Sequence, residues 1–149
     1  MIKINLLENI TRCINHEACN YTVFVQTYNV CCGANEASSY VIERAIGQDI
    51  VVDGFKDVDL QTLLDNVERC LTYKEFDSNS SLQDINDSEK LQCLLNELKA
   101  DIKKIFHISN KVEEFWFRDG HPAYPVFWDF AYIFRFADRA LIFIGSSSD

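Results

Sequence analysis

Apolar residues recur along this chain with two different periods, and the points where the period changes outline its elements. Ile4, Leu7, Ile10 or Thr11, Ile14 and Ala18 keep helical spacing and predict an opening amphipathic helix that ends between His16 and Asn20. Tyr21 to Cys32 is a run rich in β-branched and aromatic residues, which predicts a strand stopped by Gly33. Glu36 to Ile46 predicts a short helix closed by Gly47, and Asp49 to Val52 a short strand ahead of a turn at Asp53-Gly54. From Asp57 to about Tyr73 the helical period is strong: Leu60, Leu63, Leu64, Val67, Cys70 and Leu71 fall within one arc of roughly 120°.

The polar stretch Glu75 to Ser88 predicts an exposed loop, after which Asp87 or Ser88 can cap a second long helix. Its apolar stripe is Leu91, Leu94, Leu95, Leu98, Ile102, Ile105 and Phe106, and it ends near His107 with Lys103 and Lys104 at the negative end of its dipole. Beyond Lys111 the period becomes two. Phe115-Trp116-Phe117 predicts a strand, a corner follows at Asp119-Gly120-His121-Pro122, and Val126 to Phe136 puts Val126, Trp128, Phe130, Tyr132, Phe134 and Phe136 on one strand face. Its other face, with Phe127, Asp129, Ala131, Ile133 and Arg135, is mixed and predicted to be half covered. A turn at Ala137 to Arg139 leads into Leu141 to Ile144, giving a three-stranded antiparallel meander with a frayed serine terminus. The expected fold is a single α+β domain over residues 1–149, with N-terminal and central helices packed on an antiparallel sheet.

Charge narrows the partners. The chain has 23 Asp+Glu against 14 Lys+Arg, a net charge of −9. Binding a nucleic-acid backbone requires clustered Lys and Arg to displace counterions, and the main basic group is only Lys99, Lys103, Lys104 and Lys111. Direct nucleic-acid binding and docking on anionic membranes are therefore disfavoured, and no apolar run approaches the roughly 20 residues of a bilayer span. The N-terminal residues lack the apolar centre of a signal peptide, which points to the cytoplasm. In that setting the six cysteines are expected as free thiols.

Several constellations carry chemical types without the spacing that chemistry demands. Cys13, His16 and Cys19, with Cys31-Cys32 beyond them, offer soft metal ligands, but a helix would spread the first three over about 120°. Asp119, His121 and Ser146 to Ser148 contain the residue types of a Ser-His-Asp site, with no nucleophile elbow. Glu113 and Glu114 point to opposite faces of a strand, so they form no acid/base dyad. Asp129, between Trp128 and Phe130, needs solvent or a cation, and Arg118 or Arg135 could supply one. No catalytic residues, metal or cofactor are assigned.

Acidity concentrates in residues 53–90, where ten acidic residues face four basic ones. On a helical projection Asp57, Asp65, Glu68 and Glu75 form a ridge within roughly 80° on one flank of the apolar stripe, with Asp53, Asp59 and Asp77 around it. Such a surface would meet a basic partner, since complementary charge speeds encounter and suppresses wrong partners.

An acidic α+β chain rich in Asn and Ser, closing on the aromatic segment Phe-Trp-Phe-Arg-Asp-Gly-His-Pro-Ala-Tyr-Pro-Val-Phe-Trp-Asp-Phe-Ala-Tyr, resembles bacterial immunity proteins, including those of contact-dependent growth-inhibition systems. The likeness is one of type over the whole chain. It implies a non-enzymatic cytoplasmic inhibitor that covers a basic toxin domain, commonly a nuclease, through Asp53, Asp57, Asp65, Glu68, Glu75 and Asp77. Two other readings stay open: an acidic regulator or nucleic-acid mimic acting on a DNA-binding protein, and a small thiol- or metal-dependent enzyme.

Overall fold

The computed structural model describes residues 1–17, 22–47, 49–73, 82–121 and 125–148. In chain order the elements are α1 (Ile4–Glu17), β1 (Thr22–Cys31), α2 (Ser38–Ile46), β2 (Val52–Asp57), α3 (Leu60–Leu71), α4 (Leu82–Ile108), β3 (Lys111–Phe117), β4 (Pro125–Arg135) and β5 (Arg139–Ser148). The strands form one antiparallel sheet in the order β1-β5-β4-β3-β2. This is an α+β fold, and the meander β3-β4-β5 is its centre.

Period-two patterning makes each strand two-sided, and both sides are used. On one, Phe130, Tyr132, Phe134, Leu141 and Phe143 pack under α1, α3 and α4, whose buried stripes include Leu6, Leu7, Ile10, Leu63, Val67, Leu98 and Ile102. On the other, Phe115, Phe117, Ala131, Ile133, Ile142 and Ile144 pack under Val41 and Ile42 of α2. Phe130 lies flat across β5 because Gly145 has no Cβ there; one would overlap its ring.

Several sequence expectations give way. Ile4 is exposed, and Leu6 takes its place in the α1 stripe; Ala18 lies outside the described residues. Asp53-Gly54 is no turn: it sits inside β2, at a shift in the pairing with β3. The helix α4 begins at Leu82 instead of Asp87. Asp, Asn and Ser each cost only tenths of a kcal/mol in a helix, so a few of them do not end a long helix whose remainder is packed.

The largest correction concerns the serines. Gly145 to Ser148 are the last residues of β5, between β1 and β4, and Ser146 and Ser147 are fully buried. β4 carries extra residues between Pro125 and Asp129 relative to β5. A bulge of this kind leaves ladder N–H groups unpaired, and here Phe127 N and Trp128 N both donate to Ser147 Oγ at 3.1 Å. The hydroxyl substitutes for a missing strand partner.

Arg135 also has an unforeseen role. It is buried in the face covered by α2 and donates to the carbonyls of Glu36 (2.9 Å) and Gly33 (3.1 Å) and to Ser38 Oγ (2.9 Å). It therefore clips the 33–38 segment and the start of α2 onto β4. Arg118 pairs with Asp53, so neither arginine is committed to Asp129, which is exposed to solvent.

Candidate partner-binding surface

The predicted carboxylates separate into distinct environments. Asp59 is the N-cap of α3: it accepts from Thr62 N at 2.7 Å and from Thr62 Oγ1 at 2.9 Å. The backbone hydrogen bond from Thr62, then that from its hydroxyl, hold its carboxyl below the usual value. Asp65 lies exposed on α3 and accepts from Gln61 Nε2 at 2.8 Å. Glu68 faces α4, where Lys99 Nζ approaches to 2.6 Å and the hydrogen bond lowers the Glu68 pKa. Asp57 is not on the helix at all but ends β2. The helical acidic ridge is thus not formed: one member belongs to a strand and another is tied to a neighbouring helix. Glu75 and Asp77 lie outside the described residues.

The tertiary structure instead brings Asp57 beside a carboxylate from a distant segment. Antiparallel pairing of β2 with β3 sets Asp57 opposite Glu113 and Lys56 opposite Glu114. Directly opposed residues have Cβ atoms about 5 Å apart, so like charges there are unfavourable. Lys111 Nζ, 3.6 Å from Glu113, relieves part of that repulsion; the Glu113 side chain is only 13% exposed, whereas Asp57 is open to solvent.

On the opposite face of the same two strands stands Trp116. Its indole covers Gly54, where any Cβ would overlap the ring, and Trp116 remains 45% exposed. Asp53, at the shift in register, lies 3.7 Å from Arg118 Nε. This outer corner of the sheet therefore combines Asp53, Asp57, Glu113 and Glu114 with a half-exposed aromatic. Lys56, Lys111 and Arg118 are interspersed among them, which makes it mixed in charge as well as acidic. Glu113 and Glu114 are neighbours on β3 and so point to opposite faces, and their pairing with β2 is not visible in the sequence. Period two in Lys111–Phe117 shows which residues share a face; which strand lies alongside is a tertiary fact.

The enzyme-type constellations fare differently. Asp119 is exposed, whereas His121 is buried with its ring edge-on to Phe117 at a centroid distance of 5.6 Å. Burial lowers the His121 pKa, partly opposed by the charge of Asp129. The strand partner of Ser146 is Asp129, not Asp119. With Ser146 and Ser147 fully buried, neither hydroxyl is open to a substrate. Cys70 is a core thiol pushed up to about 11, chiefly by burial, and so is held as the unreactive thiol. Among the described residues no group of three or more His, Cys, Asp or Glu is placed to hold a metal ion; Cys19 of the proposed ligand set lies outside them.

No protein-family model matches the chain, and no curated protein or solved structure matches it. Among the described residues no helix is long and apolar enough to cross a membrane.

Proposed function

We propose that this protein is a non-enzymatic immunity-type inhibitor that binds and neutralises a basic toxin domain, a nuclease being the expected class. The observation that carries the reading is the β2–β3 corner. There Asp57 and Glu113 are kept opposite one another, at a cost, on an outer strand, with Trp116 half exposed on the reverse face. A cationic partner would relieve the like-charge pair, and Trp is among the residues that most often anchor protein interfaces. The net charge of −9 would add long-range attraction to the same partner.

The test is capture of interacting proteins from bacterial lysate at 50 and 500 mM salt, a range over which the Debye length falls from roughly 14 Å to about 4 Å. Wild-type protein should retain a basic nuclease domain at low salt, release most of it at high salt, and inhibit its activity. Asp57→Lys combined with Trp116→Ala should weaken that binding at least tenfold, about 1.4 kcal/mol. A captured toxin whose affinity is indifferent to both salt and these substitutions would refute the proposed surface. Capture of no basic protein at either salt would refute the function.

A further inference from the structure

The α2 side of the sheet is held at its two ends by side chains of different chemistry. At one end Arg135 binds the 33–38 segment, and a guanidinium keeps its charge at every physiological pH. At the other end stands His121, a side chain whose charge changes near neutrality.

His121 reaches that face by a tight reversal after β3. The Arg118 N–H donates to the Val51 carbonyl at 2.8 Å, so pairing with the 51–57 segment continues one residue past the strand. Gly120 then turns at φ +88°, a conformation that favours glycine, and its N–H donates back to the Phe117 carbonyl at 3.4 Å. The reversal brings the His121 ring edge-on to Phe117, at a centroid distance of 5.6 Å, and leaves His121 only 4% exposed. Phe117 belongs to the core beneath α2. Asp129 lies on the same face, because strand alternation sets it with Ala131 and Ile133, opposite the fully buried Ser146 of β5. From β3 the ring thus meets an aromatic edge, from β4 the charge of Asp129 acts on it, and the β5 residue across from Asp129 is an uncharged serine. On the corner itself Asp119 is exposed and Arg118 stands 3.7 Å from Asp53.

We infer that His121 is an acid-operated latch. Neutral, it holds the 118–121 corner against the sheet; once protonated, it leaves that site and the corner opens. A protonated ring that kept its buried place would lose its hydration and gain the attraction of Asp129. Asp129 is exposed, so water screens that attraction; burial prevails, and His121 is held below its ordinary value of 6.5. An opened corner returns the ring to water and to that ordinary value. Above pH 6.5 neither state carries the proton, and the corner stays closed. As pH falls below 6.5 the open state takes the proton first, so opening is favoured by up to about tenfold per pH unit until the closed state is protonated as well. Arg118 belongs to the corner, so its contact with Asp53 is lost in the open state and the β2–β3 surface becomes more acidic. The latch itself does not depend on the proposed function.

Hydrogen exchange of the full chain between pH 7.5 and pH 5, corrected for the pH dependence of the exchange chemistry, tests it. Protection of the Arg118 and Gly120 amides should hold down to about pH 6.5 and then fall, by up to about tenfold per pH unit. Ile133 and Ile142, in the middle of the sheet, should keep theirs. His121→Gln and His121→Phe take up no proton, so both should give a flat profile. Asp129→Asn removes the charge that favours the protonated ring in its closed place, and should extend the fall to lower pH, a response that a merely structural histidine would not give. Constant protection in the wild type down to pH 5 overturns the inference. So does protection that rises in acid, which would mean that His121 and Asp129 tighten into an ion pair, and so does a fall that survives in both His121 variants. If one of those variants fails to fold, the other decides. If neither folds, Asp129→Asn decides, and a fall that ends at the same pH as in the wild type overturns the latch.

Discussion

Among the described residues α1, α3 and α4 close one face of the sheet, and the nine-residue α2 closes the middle of the other. The first face is a conventional apolar core, in which Tyr132, Phe134 and Phe143 are wholly buried beneath α1, α3 and α4. A polar group reaching across it is the Tyr132 hydroxyl, which accepts from Asn66 Nδ2 at 2.6 Å; burial pushes that phenol up to about 12 and keeps it neutral. The second face has less apolar surface to offer a short helix, and α2 is held by polar means in addition. Arg135 binds three oxygens of the 33–38 segment, Arg44 pairs with Glu36 at 3.1 Å, and Val52 N donates to Glu43 Oε1 at 3.2 Å. Burial is non-directional and scales with area, whereas hydrogen bonds are directional and local. One face should therefore set global stability, and the other should open on its own.

Phe134→Ala tests the first half of that contrast and has the largest expected effect. Truncating a fully buried aromatic should cost about 4 kcal/mol and lower the denaturant midpoint of every probe together. Loss confined to α1, with the rest of the sheet unaffected, would show that this core is not one cooperative unit.

Arg135→Met tests the second half. Removing the guanidinium takes this donor from the Glu36 carbonyl and the Ser38 hydroxyl and leaves the Gly33 carbonyl only the Glu36 N–H, for about 2 kcal/mol. Amide exchange at Val41 and Ile42 should accelerate while Tyr132 and Ile133 remain protected. Equal acceleration at all four positions would merge the two faces into one unit.

The smallest effect comes from the ion pair between α3 and α4. Glu68 has a folded pKa below its ordinary value of 4.5, so its contribution is intact above that value and is lost as pH falls through the lower folded pKa. Both side chains are a quarter to a third exposed, and screening by solvent limits the contribution to about 0.5 kcal/mol. Glu68→Gln should flatten this part of the acid limb of the stability curve and leave stability at pH 2 unchanged. An undiminished pH slope in the variant would assign the limb to other carboxylates, Asp59 first.

Much of the architecture is written locally. The α3 stripe from Leu60 to Leu71, the strand after residue 21 and the aromatic alternation from Trp128 to Phe136 all form where their periods place them, because a period of 3.6 or 2 decides which side chains can be buried together. The class of fold follows from helices preceding a meander. What stayed hidden depends on neighbours far along the chain. Ser147 reads as part of a frayed end until the bulge in β4 gives its hydroxyl two amides to accept from. Arg135 reads as a partner for Asp129 until the 33–38 carbonyls arrive from about a hundred residues away.

The same division runs through the surface. Sequence alone determined that the chain is acidic and that the strand ending at Cys31 is free of charge, but it placed Asp57 in a helix that begins only at Leu60. Only the tertiary structure decided that Glu113 would stand opposite Asp57, that Glu68 would be drawn to Lys99, and that β1 would be an edge at all. A side chain's charge and apolar area belong to its residue, but its electrostatic neighbours and the partners of its backbone are fixed when strands from distant segments choose their order.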